Sequence, residues 1–485
     1  MIAELAIAGV LAVTGLALLV ALRGDFGGAV PWMAFPIGVA VYLLAALSLL
    51  VIAGTFDPKT GLVVTGAVGA GGLVISLSRR NWNTKTLLAA LAVLGVTAVT
   101  VLVARTVHLT RLTPDSLRYL LFAGEMQLPD AFNEIHPPDL VNRQMGLPSL
   151  HAMSSLTDRR YLASIGPLFG VSGFGFFIWL CWRATVDLIR SRRWILVGTA
   201  VLFLLSSNRL VYDAFYINTH IEVALYLLVT IAGSWIAVTE RDWRWAVPAG
   251  IALGATLLFR PEAPIVATIV LVAVAASDAG WQVRLAMTAP TVLVAALWYG
   301  VVLWQNAPGG DAISPTAPVF GSLVAVFVAA LVVTAGGSKR LWVMVRHMDR
   351  VMLAVMLVAL AGFAAANLDV FTASVEASFQ NIALSQGAWL FTWSIGVVLL
   401  AVALVVHQVP SSRLWTTPIL GFAILWWLLP IIREGAWRVG TGDSGNRILA
   451  HMLAVVVVFL VLAAIPSWPW VGSKSGVEEV TADTA

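Results

Sequence analysis

Apolar residues gather along this chain into long runs separated by short polar breaks. Fifteen such runs occupy 4–22, 30–54, 60–77, 86–104, 162–182, 193–210, 217–238, 244–260, 262–278, 284–305, 320–336, 351–368, 388–406, 416–433 and 447–466. Crossing a hydrocarbon core roughly 30 Å thick takes about 20 apolar residues as a helix. Backbone N–H and C=O groups cannot stay unpaired in lipid, so the runs predict helices. The expected fold is an all-α polytopic membrane protein of about fifteen transmembrane helices. A porin-like barrel would show short alternating segments instead.

One break differs from the rest. Between the fourth and fifth runs the chain turns polar for nearly sixty residues, 105–161, and opens with LTPDSLRYLLFAGEMQLPD. Thr113 suits a helix cap, Pro114 the first helical position and Asp115 the first turn. Leu117, Leu120, Leu121 and Leu128 then recur at roughly helical spacing, which predicts a short helix lying in the membrane interface.

Composition agrees with the class: 60% of the 485 residues are hydrophobic and 11% charged, with a mean hydropathy of +0.91. The single Cys181 excludes an intrachain disulfide and a cysteine metal site. The net charge of +4 is more informative loop by loop than as a sign of nucleic-acid binding, which is not expected. If successive loops alternate sides, one set (79–85, 183–193, 241–244, 339–350 and Arg413, with Arg23, Arg284 and Lys474) holds 17 of the 29 Lys and Arg. The other holds 12 bases and 16 of the 25 acids, six of them in 105–161. The positive-inside rule then places the first set in the cytoplasm. The N-terminus and the long loop are expected outside, the C-terminus inside. The first run lacks a basic n-region and reads as a retained span. The last residues, 471–485, read as a cytoplasmic tail.

The runs carry few ionisable groups. Polar residues collect instead at one face, in the long loop, RLVYDAFYINTHIE (209–222), RPE (260–262), NAPGGDAISP (306–315), NLDVFTASVEASFQN (367–381) and REGAWRVGTGDSGNR (433–447). That pattern suits an outward cleft for a substrate with a lipid tail and a polar head. Asp115 could complement its helix dipole or act as a general base above the lipid surface. Asp213, Asn218, His220 and Glu222 form either a polar loop or a site for a divalent cation, although their spacing matches no metal motif. Arg260 is either a snorkelling arginine or a bidentate grip on a lipid phosphate, with Glu262 beside it. GTGDSGNR can turn backbone N–H groups toward an anion and brings Asp443, Asn446, Arg447 and then His451. The chain has no GxSxG elbow, Walker A, GxGxxG, HExxH or CxxC motif.

With TPDSLRY in the long loop, THIEVAL opening a later span and GIALGATLLFRPEAP at an Arg-Pro-Glu turn, the sequence resembles the GT-C-fold glycosyltransferases, membrane enzymes that use polyprenyl-phosphate-linked sugars. The resemblance covers roughly 86–305 as a catalytic module. Residues 1–85 would be extra N-terminal helices and 306–470 a variable second module. The family usually places its long loop after the first span; here it follows the fourth. The resemblance implies that Asp115 is the catalytic base or orients the acceptor, that Glu222 is the second acid and that Arg260 is a phosphate contact. Arg118 and Tyr119 of TPDSLRY join the substrate-binding candidates. It implies an inverting transfer of a sugar from a polyprenyl phosphate to an acceptor hydroxyl on a glycan, lipid or protein. Two alternatives stand beside it: a lipid-linked glycan polymerase or ligase, and a flippase or transporter with internal repeats and a midplane site.

Overall fold

The structure, a computed structural model, describes residues 1–24, 26–107, 110, 112–129, 143–306, 313–335, 343, 345–406, 409–432, 435–441 and 444–465. Among these there is no β-strand. The helices are α1 (Ile2–Arg23), α2 (Val30–Ala53), α3 (Pro58–Ser78), α4 (Thr84–Val107), α5 (Pro114–Glu125), α6 (Gly146–Ala152), α7 (Ile165–Ala184), α8 (Arg190–Leu205), α9 (Asn208–Asp213) and α10 (His220–Thr239). They continue as α11 (Ala246–Thr256), α12 (Ala263–Ala276), α13 (Trp281–Asn306), α14 (Ile313–Ala335), α15 (Met348–Ala366), α16 (Leu368–Ser378), α17 (Thr392–Val406), α18 (Arg413–Ile432), α19 (Ser444–Ile448) and α20 (Ala450–Ala463). Nine helical stretches among the described residues are long and apolar enough to cross a membrane. The chain is therefore all-helical and built like a polytopic membrane protein.

Each apolar run falls on a helix, but several helices are shorter than their runs. The run 244–260 is helical only over Ala246–Thr256, because a 3-10 turn at Trp243–Trp245 precedes it and turn bonds from Leu257, Leu258 and Phe259 follow. The polar stretch 367–381 contains α16. Its Ser374 and Ser378 hydroxyls donate to the carbonyls four residues earlier, so these side chains are satisfied within the helix.

Helix α10 is the axis of the bundle: 94% of its apolar window is buried, against 6% for α15 at the periphery. Helices α1 and α2 cross at backbone contact. A Cβ on Gly15 would overlap the Ala34 carbonyl, and one on Gly38 would overlap that of Leu11, so only glycine allows this approach.

The helix ends sort into two groups. At one end, Arg23 pairs with Asp242 at 3.3 Å, Arg183 pairs with Glu240, and Arg413 pairs with Asp349 at 3.7 Å. Arg79 donates to Ala21 O, tying the loop after α3 to the end of α1. The loops grouped by alternation thus meet one another. Arg284 lies fully buried here and donates to the carbonyls of Ala275, Ser277, Ala279 and Val333, closing the C-terminal ends of α12 and α14. At the opposite end, Glu4 accepts from Ser164 N and Oγ at 2.8 and 2.7 Å and pairs with Arg105 at 3.3 Å. That triangle fixes α1, α4 and α7 beneath the segment that follows α4.

Candidate functional site

The site begins with a helix cap. Thr113 Oγ1 accepts from Ser116 N, and Ser116 Oγ accepts from Thr113 N, a reciprocal capping box with Pro114 in the first turn. The same residues dock α5 on the loop ahead of α10. Thr113 Oγ1 lies 2.6 Å from Tyr216 Oη, and Ser116 Oγ donates to Ile217 O at 3.2 Å. Ser116, Tyr119, Phe122 and Ala123 face inward, whereas Leu117, Leu121 and Leu128 are exposed. The expected amphipathic helix is present, with its apolar outer face open to the surroundings.

Docking α5 sets the position of Asp115. Arg143 Nη2 donates to its Oδ1 at 3.1 Å and Arg447 Nη2 to its Oδ2 at 3.3 Å. The carboxylate is thus shared by two guanidiniums and stays 40% exposed. Burial would raise its pKa, but Arg143 and Arg447 outweigh that and hold it below the ordinary carboxylate range. Arg447 Nη1 also donates to Tyr216 Oη at 3.1 Å, which leaves the tyrosine proton for Thr113. Burial raises the Tyr216 pKa, so its hydroxyl stays protonated. The Arg447 Nε is buried and has no hydrogen-bond partner among the described residues.

The floor of the site is a second pair of charges. Tyr119, one turn along from Asp115, lies under the Arg143 guanidinium at 5.3 Å and beside Arg260. Arg260 is buried, and its Nε donates to Glu262 Oε1 at 2.8 Å. Arg260 is therefore near the Asp115 centre, with its Nε already engaged by Glu262. The guanidinium that reaches Asp115 alongside Arg447 is Arg143, to which the sequence reading gave no role. Nor did it single out Tyr216 or Thr113's hydroxyl for the site. The available signals were faint: Arg143 is the base immediately before the loop returns to α6, and YDAFY supplies two tyrosines in a short polar loop.

The other candidates divide by place. Arg118 is exposed on the outside of α5. Asp213, Asn218, His220 and Glu222 are buried together at the entry of α10. Burial pushes Asp213 up to about 7 against the opposing pull of Arg209, Arg447, Asn218 and Arg260. His220 Nδ1 and His451 Nε2 lie 3.0 Å apart, and the two rings stack. His451 is one turn beyond Arg447, so the pair fixes α20 against α10 directly below the Arg447–Asp115 contact. Glu222 Oε2 and Asp213 Oδ2 lack hydrogen-bond partners among the described residues. No group of three or more His, Cys, Asp or Glu among the described residues is placed to hold a metal ion. Asn446 is a framework residue: it donates to the Gly387 and Thr441 carbonyls and accepts from Trp389. Arg209 donates to the same two carbonyls. Asp443 lies outside the described residues.

An apolar cavity of about 420 Å³ opens between α4, α7, α8 and α10, lined by Val103, Phe174, Leu205, Val211, Phe215 and Ala454 among others. Its wall ends at Phe215, the neighbour of Tyr216. The site is thus a cationic cluster around one carboxylate, next to an apolar groove. Comparison with known protein families, curated proteins and solved structures finds no match for this chain.

Proposed function

We propose that the chain is a GT-C-like membrane glycosyltransferase. It crosses the cytoplasmic membrane fifteen times, with the N-terminus and the Asp115 site outside and the C-terminus inside. It moves a sugar from a polyprenyl phosphate to an acceptor hydroxyl of a glycan, lipid or protein. The observation that carries this reading is the junction of Asp115, Arg143 and Arg447 beside the apolar groove. A phosphate with a prenyl tail matches both halves, with the tail in the groove and the headgroup at the guanidiniums.

In this reading the donor phosphate takes the place of the Asp115 carboxylate on Arg143 and Arg447, because both guanidiniums form charge-assisted forks with either anion. Asp115 is then free to accept a proton. The acceptor oxygen forms a bond to the anomeric carbon as the bond to the phosphate oxygen breaks. The phosphate leaves with the electron pair, stabilised by the two arginines, and the hydroxyl proton passes to Asp115. A single displacement inverts the anomeric centre. The deciding experiment is sugar transfer from labelled polyprenyl phosphates by the purified protein, with Asp115→Asn as the comparison.

A further inference from the structure

A second apolar groove lies at the opposite, basic end of the bundle. It has a volume of about 260 Å³ and runs between α8, α17 and α20, lined by Leu196, Ala200, Phe203, Val402, Ala403 and Val461 among others. It shares no lining residue with the groove beside Tyr216. On α8, Arg192, Leu196, Ala200 and Phe203 follow one another at helical spacing, so Arg192 stands on the groove-facing stripe at its mouth. Arg190, two residues earlier, is also exposed but stands on the opposite side of α8. Arg193 is already engaged: its guanidinium stacks on Trp182 at 3.8 Å and donates to the Trp182 carbonyl. Arg190 and Arg192 have no acidic partner among the described residues. Trp194 is 56% exposed and meets Trp182 edge-on, an aromatic pair of the kind that sits at a membrane–water boundary.

We propose that this groove binds an acyl chain of an anionic phospholipid whose headgroup phosphate is held by Arg192. An unpaired guanidinium at the mouth of an apolar slot complements a lipid that carries negative charge directly above its chains. A zwitterionic lipid offers the same tail but places a cation beside the same arginine. The site rests on the membrane-spanning reading and is independent of the transferase.

The test uses the full chain in nanodiscs of equimolar phosphatidylglycerol and phosphatidylcholine, extracted gently and weighed by native mass spectrometry. The wild type should retain phosphatidylglycerol in about fivefold excess, the preference that a basic residue near a charged membrane surface confers. The excess should fall to near parity in Arg192→Ala and persist in Arg190→Ala. Ala200→Phe/Ala403→Phe, which fills the slot, should reduce retention of both lipids while the protein still elutes as a single species. Parity in the wild type, or a preference that survives Arg192→Ala, overturns the proposal. So does a rise in retained lipid when residues 466–485 are removed, because the groove would then belong to the chain's own C-terminal segment. Recovery of the wild type from the soluble fraction would overturn the membrane reading itself, a result distinct from any lipid ratio.

Discussion

Arg447 and Asp115 stand 332 residues apart in the sequence and meet at 3.3 Å. One arrives from α19, just ahead of α20, the other from the first turn of α5. Their contact brings the two halves of the chain to one point. The second fork of Arg447, to Tyr216, adds the loop before α10.

The Arg447 fork is therefore the most sensitive place to change geometry while keeping charge. Arg447→Lys retains the cation but cannot reach Asp115 and Tyr216 together. Hydrogen bonds to charged groups are worth about 1.5–3 kcal/mol, so donor use should weaken by about 10- to 100-fold, read as a rise in KM for a polyprenyl-phosphate sugar. Arg143→Lys should act in the same direction. Arg260→Lys should register mainly as lost thermal stability, because its buried Nε is held by Glu262. A donor KM that responds to Arg260 and ignores Arg447 would reverse these assignments.

Asp213 makes a pH prediction of definite sign. Its folded pKa is raised from 3.8 to about 7, so within that window the folded chain binds more protons at this site than the unfolded chain. Stability from this group is then greatest near pH 4 and declines as the pH rises to about 7. Asp213→Asn should raise the Tm in detergent by a few degrees at pH 8, with little effect near pH 4. An equal shift at both pH values would show that Asp213 is not neutral in the folded state at low pH.

Arg284 tests the opposite end. It holds carbonyls at the ends of α12 and α14 and is fully buried. Arg284→Met keeps most of the volume but leaves those acceptors unpaired. A cost of about 3 kcal/mol or more is expected, measured as thermal unfolding, with sugar transfer per folded molecule unchanged.

Much of this architecture was legible from the residues. The apolar runs announced helices because their length answers one physical requirement, satisfying the backbone across lipid. Thr113-Pro114-Asp115 announced a helix start because capping is local chemistry. The engaged state of Arg260 was not legible, since Glu262 could equally have pointed away. Nor was the choice of Arg143, because side chains from a long loop meet the site only after the fold is set. The stretch 367–381 looked like a polar loop, yet serine hydroxyls that bond back to their own helix make α16 acceptable.

The proposed orientation rests on charge alone and is testable separately. In a Cys181→Ala background, a single cysteine at position 345 should be shielded from a membrane-impermeant maleimide in intact cells, and one at 118 should react. External labelling at 345 would invert the chain and remove the outward site.

The central claim is tested most directly with purified protein and a panel of labelled polyprenyl-phosphate sugars. One sugar should be released from its lipid phosphate onto an acceptor hydroxyl with inversion at the anomeric carbon. Asp115→Asn should lower that turnover by about 10²-fold or more, the usual worth of a general base. Donor binding should be unchanged or tighter, because Arg143 and Arg447 are freed from the carboxylate. If every donor in the panel remains intact, or if Asp115→Asn transfers sugar as fast as the wild type, the assignment of this site as a glycosyltransferase centre is contradicted.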